Sequence, residues 1–267
     1  MQNSDRYTHG HDDSVLRSHR ARTVDNSAAY LRPHLRAGIR LLDVGCGPGS
    51  LTLDLARHAP NSQVVALERA ESVLEEARRT LAPLGPSVSV VAGDVYELQY
   101  DAGTFDIVHA HQVLQHLTDP VRALQEMKRV CKPDGVVAVR DSDYGAFRWF
   151  PEEPRLDAWL AMYTSVAQRN GAYPDAGRRL LSWAQAAGFR EPTVSASAWC
   201  YATPEVRTWW ASLWADRVTK TTLADQAIDY GLATRADLQE MAAGFRTWSE
   251  ATDGFFTLTH GELLARP

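Results

Sequence analysis

Asp43, Glu68 and Asp94 are three acids that each close, or follow at once, a short apolar run. Around the first lies Leu41-Leu42-Asp43-Val44-Gly45-Cys46-Gly47-Pro48-Gly49, a buried-type strand entering a glycine-rich turn, with the helical pattern from Ser50 directly behind it. Glycines allow positive φ and let a ligand come close to the main chain. The first strand-to-helix turn of an open α/β sheet is where nucleotide-like ligands sit. A phosphate-binding P-loop needs Lys and then Ser or Thr after its last glycine, and here Gly49 is followed by Ser50-Leu51. A dinucleotide fingerprint needs G-x-G-x-x-G, and here the glycines fall at 45, 47 and 49. Glu68 ends Val-Val-Ala-Leu-Glu, where a carboxylate accepts from both hydroxyls of a ribose. It also stands where an acid favours the helix that begins near Ala70, and the two readings are compatible. Gly93-Asp94-Val95 follows a third short strand; its acid can accept from an adenine amino group and the Val95 N–H can donate to the ring.

Histidines are the natural proton acceptors of this chain. His111 and His116 follow the fourth strand, and side chains there face the crevice where a ligand would lie. His9 and His11 sit in a polar N-terminal stretch with Tyr7, which has the reach to close over a bound cofactor. His260, on the last strand, is expected to be more distant. Each has a plainer alternative: His116 packing in its own helical turn, Tyr7 exposed on a tail, Arg22 a solvated surface arginine rather than the partner of a ligand carboxylate.

These residues need a scaffold. The 267 residues carry a formal net charge of -5 and no basic block, which argues against a nucleic-acid partner. Cys46, Cys131 and Cys200 are far apart and odd in number, so they make neither a metal spacing nor a disulfide framework and suit a reducing cytoplasm. No apolar run reaches membrane-spanning length. Strands are predicted at 40–44, 63–68, 88–92, 105–109, 135–141, 193–200 and 255–264. Helices are predicted at 26–35, 50–58, 70–82, 119–130 and 176–187, and 1–22 as irregular. Alternating strand and helix patterns predict one α/β domain over 1–267, a seven-stranded, mostly parallel sheet with helices on both faces. The segments 1–37 (an N-terminal lid and helix), 145–173 and 203–253 lie outside the core of 38–141. All eight tryptophans fall between Trp149 and Trp248. The two later segments therefore read as an aromatic-rich cap, or as helices that only pack on the core, or as a dimer surface.

The run Asp-Val-Gly-Cys-Gly-Pro-Gly, with Glu68, Gly93-Asp94, Phe105-Asp106-Ile107-Val108 and Lys132-Pro133-Asp134-Gly135 in order behind it, resembles the class I S-adenosylmethionine-dependent methyltransferases over roughly 38–141. Cys131 and Asp134 depart from the family's Leu-Lys-Pro-Gly-Gly. More narrowly the chain looks like the ubiquinone/menaquinone-biosynthesis-type (methyltransferase type 11) branch. Tyr7-Thr8-His9-Gly10-His11 and Leu258-Thr259-His260-Gly261-Glu262 are similar to members of that branch that modify secondary metabolites, among them fungal enzymes that S-methylate dithiols. The resemblance implies a Rossmann-like fold and S-adenosylmethionine as cofactor, with S-adenosylhomocysteine as product. It implies a cofactor site of Asp43, Gly45, Cys46, Gly47, Gly49, Glu68, Arg69, Gly93, Asp94, Val95, Ala110 and Arg22, and His111, His9, His11 and Tyr7 as catalytic candidates. No metal is expected. A cytoplasmic monomer or homodimer is expected, acting on a small secondary metabolite by S-methylation of a thiol or dithiol or by O- or C-methylation of an aromatic or quinone-like compound, with a cofactor-binding regulator and a nucleic-acid methyltransferase as rivals. The place where the latter carries Asn-Pro-Pro-Tyr reads Ala110-His111-Gln112-Val113.

Overall fold

A computed structural model describes Asp5, Thr8 and residues 13–267, with the backbone alone at Asp13. Tyr7, His9 and His11 lie outside the described residues. The sheet's parallel half is β1 (Arg40–Val44), β2 (Gln63–Glu68), β3 (Val88–Ala92), β4 (Phe105–His111) and β5 (Cys131–Ser142). Its order is β3-β2-β1-β4-β5, every neighbouring pair parallel. Parallel strands covered on both faces read as continuous apolar runs, and Leu41, Leu42, Ile107, Val108, Val137 and Val139 are indeed buried.

Among the described residues eight strands form where seven were expected. The extra one is β6 (Arg148–Phe150), three residues hidden in an aromatic stretch. The long last strand β8 (Phe255–Arg266) runs antiparallel to β5 through Val137–Ser142, to β6 through Arg148–Phe150, and to β7 (Arg190–Tyr201) along nearly its whole length. The result is a Rossmann-like α/β fold with a mostly parallel sheet and an antiparallel edge.

Two N-terminal expectations are corrected. Residues 13–20 form a helix, α1 (Asp13–Arg20), which the sequence concealed because its apolar side is only Val15 and Leu16. It is held tertiarily: Arg17 pairs with Asp216 at 2.8 Å, and the buried Arg217 donates to Ser14 O at 3.1 Å. The helix expected at 26–35 is instead a capped turn, α2 (Val24–Ser27), and a 3-10 segment, Ala29–His34. Pro33 explains the break, because its ring excludes the α-helical bond to residue 29.

The other core helices lie within a residue of expectation: α3 (Ser50–His58), α4 (Glu71–Leu81), α5 (Pro120–Val130) and α7 (Ala176–Ala186). Local chemistry fixed them; α5 opens on Pro120 with the Asp119 side chain accepting from Arg122 N at 3.1 Å. The cap is α6 (Pro154–Arg169), α8 (Pro204–Lys220), α9 (Thr222–Asp229) and α10 (Arg235–Glu250). Most of its aromatics fill its own core: Trp159, Trp214 and Phe245 are fully buried, with the Trp159 and Trp214 rings 4.4 Å apart and edge-on. Only part of the aromatic surface is left to meet a ligand.

Candidate functional site

The glycine turn hangs from its neighbours by main-chain bonds. Gly45 N and Cys46 N donate to Leu67 O at 2.7 and 3.0 Å, which locks the turn to the end of β2. All three glycines hold positive φ, between 55° and 85°. The Glu68 carboxylate caps this corner, accepting from Gly47 N at 3.1 Å, Arg69 N at 2.8 Å and Ala70 N at 3.0 Å. Its place at the strand end also serves the following helix.

Beside the turn opens a cavity of about 380 Å³ lined largely by apolar atoms. Gly45, Gly47, Glu68, Arg69, Gly93, Asp94, Val95, Arg22 and His111 all border it. Four expected residues do not. Asp43 is buried below the turn, where His109 Nδ1 donates to its Oδ1 at 2.7 Å and Thr52 Oγ1 to its Oδ2 at 2.5 Å. Its part is to hold β1, β4 and α3 in register under the loop, and both carboxylate oxygens are taken. Ala110 is likewise interior to β4, and Gly49 faces Leu81 at the start of α3. Cys46 is buried away from the cavity, and burial beside Asp43 and Glu68 pushes its thiol well up, so it is a poor nucleophile. His109 was missed because only its register with Asp43 reveals its role.

His111 sits at the cavity wall, 4% exposed, and neither ring nitrogen has a hydrogen-bond partner among the described residues. Burial, then the charges of Arg22 and Arg140, hold its pKa well below the usual value, so the imidazole is neutral. Its ring lies 6.2 Å from His260 and 5.9 Å from Trp199. His260 is thus not distant: β8 inserts beside β5 and sets it opposite Ser142. Gln112, at the strained φ of +55°, links the group. It accepts from the Arg22 guanidinium and donates to Ser142 Oγ at 2.7 Å and His260 Nε2 at 2.9 Å. His116 Nε2 accepts from Gln115 at 2.9 Å, and burial with the Arg22 charge pushes its pKa down to about 3. It borders the cavity as well.

A second, nearly filled chamber of about 30 Å³ adjoins the first, sharing Arg22, Gln112, His19 and His116 with it. Tyr144, Trp199 and Trp210 wall it, with Ser142, Gln115 and Arg217 as polar groups. α1 closes one side, anchored to α8 through Arg17 and Arg217 and to α4 by Arg20 bonding Glu76 at 2.7 Å. Gln112, Ser142, Trp199 and Arg217 were invisible in the sequence, because four separate elements bring them together. Among the described residues no three or more His, Cys, Asp or Glu residues come together as a metal site, and no helix is long and apolar enough to cross a membrane.

The buried imidazoles give the fold a pH signature. His111, His116 and His260 all have pKa values depressed by burial. In acid the unfolded chain takes up protons below about 6.5 that the fold refuses, so stability falls with pH by about 1.4 kcal/mol per unit for each imidazole. Asp141, raised to about 7 by burial, acts oppositely between its unfolded value and 7 and offsets roughly one of the three. Melting at about pH 5 should therefore give a Tm well below that at about pH 7.5, and His116→Gln should lessen the difference. Equal Tm values at the two pH values would show that these rings are not held neutral.

A family model described as a methyltransferase domain matches residues 35–191. An uncharacterized methyltransferase of Schizosaccharomyces pombe is 33% identical over 97% of this chain and 95% of its own. A demethylmenaquinone methyltransferase of Symbiobacterium thermophilum is 36% identical, but over only 38% of this chain and 42% of its own. Among solved structures, a phosphoethanolamine N-methyltransferase of Haemonchus contortus superposes with a TM-score of 0.60 at 16% identity, which speaks to the fold alone. The alignment takes in 98% of this chain and 59% of that longer one.

Proposed function

The chain belongs to the class I S-adenosylmethionine-dependent methyltransferases, and on that premise we propose that it methylates a small acceptor with an acidic O–H, S–H or C–H. One observation carries this reading: a neutral, unpartnered His111 faces the same cavity as the glycine turn and Glu68. The corner fits an adenosyl group in its donor set. Glu68 would take the ribose hydroxyls, Asp94 and Val95 N–H would read the adenine, and Arg22 would face the amino-acid carboxylate. Bound S-adenosylmethionine supplies an already activated methyl group that an acceptor lone pair displaces in line.

The protein's own contribution is then position and proton removal. Orientation of two reactants alone is worth several orders of magnitude. The acceptor would lie between His111, Gln112 and the aromatic wall of the second chamber, where α1 keeps water out. Burial first, and then the charges of Arg22 and Arg140, depress the His111 pKa, and the same positive charges make a nearby phenol, enol or thiol more acidic. That favours such acceptors over aliphatic alcohols or amines. The demethylmenaquinone relative matches only about the length of the cofactor core, so its quinol is one candidate class rather than an assignment. The histidine-rich N-terminal stretch, with His9, His11 and Tyr7, stays a second source of a base.

Calorimetry should show S-adenosylhomocysteine binding in the micromolar range or tighter. Labelled methyl groups should pass to some member of a thiol, phenol and hydroquinone panel. His111→Phe keeps the ring packing against Trp199 and should lower turnover of a protonated acceptor by about 10²- to 10⁴-fold, the usual worth of a general base. Its affinity for S-adenosylhomocysteine should stay within about twofold. Full turnover in His111→Phe would leave catalysis to positioning, and absence of binding heat would remove the cofactor assignment.

A further inference from the structure

Arg140 stands in the middle of an apolar strand, after Val136, Val137, Ala138 and Val139, and is 1% exposed. Its Nε donates to Ser197 Oγ at 3.1 Å and lies 3.4 Å from Glu262 Oε1. Glu262 is held in turn by Ser195 Oγ at 2.6 Å and Ser197 Oγ at 2.5 Å. Both terminal nitrogens of Arg140 are buried and have no hydrogen-bond partner among the described residues. An unsatisfied buried donor is destabilising, so the arrangement is costly unless something else meets these N–H groups.

Arg140 lines a cavity of about 410 Å³ between the N-terminal segment and β7, with Trp199, Tyr201, Trp209 and Arg22 among its other walls. The indole of Trp199 covers the guanidinium at 5.0 Å and is tied by Nε1 to Asn26 O at 2.5 Å. The charged residues of the lining are Arg140, Arg22, Asp25 and Glu262, and the terminal N–H groups of Arg140 are met by no described residue. A guanidinium presents its paired N–H groups in a fork that matches the two oxygens of a carboxylate. The aromatic walls suit a flat apolar body. The cavity is continuous in its lining with the catalytic region: it shares Ser18, Arg22 and Trp199 with the small chamber, which shares Arg22 and Gln112 with the cofactor cavity.

We propose that the acceptor is an aromatic carboxylic acid, its carboxylate seated on Arg140 and its methyl-accepting end directed past Trp199 toward Gln112 and His111. The assignment of that end rests on the methyltransferase reading, whereas the carboxylate seat does not. In the free protein Trp199 shields the guanidinium, and burial lowers the Arg140 pKa to about 10, a penalty that an incoming anion relieves.

The test titrates 4-hydroxyphenylacetate and 4-hydroxycinnamate against their primary amides, with and without S-adenosylhomocysteine. The wild type should bind the acids at least about tenfold more tightly than the amides. Glu262→Gln removes the competing carboxylate and should tighten the acids further. Arg140→Met combined with Glu262→Gln, which leaves no buried charge unpaired, should erase the preference while S-adenosylhomocysteine binds as before. Equal binding of acid and amide, no binding of either, or a preference that survives the double substitution overturns the proposal, and so does weaker acid binding by Glu262→Gln. Failure of S-adenosylhomocysteine to bind strikes the methyltransferase reading instead, and the acid preference measured without it still decides the role of Arg140.

Discussion

Gly261→Ala should lower the melting temperature by about 10 °C, or prevent folding outright, a cost of about 3–5 kcal/mol at roughly 2–4 °C per kcal/mol for a chain of this size. Gly261 lies on β8 opposite Asp141 of β5, and α7 crosses directly above it. A Cβ there would fall 2.0 Å from Gly177 O and 2.8 Å from Gly177 Cα. From the other side, a Cβ on Gly177 would fall 2.7 Å from both Asp141 O and Gly261 N. Helix and sheet therefore touch backbone to backbone, and no side-chain rotation relieves the overlap. The helix would have to lift, and with it Leu180 and Ala184, which are fully buried against the sheet core. Loosening a packed interior loses contacts over the whole face rather than at one atom. Gly231→Ala is the comparison: its Cβ meets nothing within 4 Å, and only the positive φ of +64° opposes it. That should cost about 1 kcal/mol. A Gly261→Ala protein that melts within 2 °C of the wild type would contradict the close contact of α7 with β8.

The parts of the site legible in the sequence are those fixed by local chemistry. Strand, glycine turn and helix follow one another within 40–58, and the third-strand Gly93-Asp94 is likewise a short-range pattern, so periodicity and turn residues locate them. Asp43 shows the limit of that reasoning. Its position at a strand end was read as a ligand contact, but the register with His109 turns both oxygens inward. Gln112, Ser142 and His260 form one hydrogen-bonded group from a strand end, the next strand and the far C-terminus, and nothing in their spacing predicts it. The antiparallel insertion of β8 beside β5 makes that group, and it also gives Arg140 its partner Glu262. The aromatic abundance after Trp149 was a true sign of the cap and a weak sign of the acceptor, because a helical layer on the sheet needs a core of its own before it can offer a wall.

Gly45→Ala should weaken S-adenosylhomocysteine binding by at least about 100-fold, close to 3 kcal/mol, while leaving a folded protein. Two effects add. At φ +68° an alanine is strained by about 1–2 kcal/mol. Its Cβ would also lie 2.5 Å from Val113 Cγ2, too close for either to stay in place. Val113 borders the cavity beside the glycine turn and follows Gln112, itself at φ +55°, so the displacement passes into the group that holds Arg22 and His260. Gly45 N donates to Leu67 O at 2.7 Å, which prevents the turn from moving the other way without breaking its tie to β2. The two effects separate by a second substitution. Val113→Ala alone should bind within about threefold of the wild type, since it removes two methyl groups from an open wall. Combined with Gly45→Ala it should recover about tenfold of the loss, the remainder being the φ penalty. Calorimetry on the three proteins checks the series. If Gly45→Ala binds as tightly as the wild type, the cavity beside the glycine turn is not where the cofactor lies.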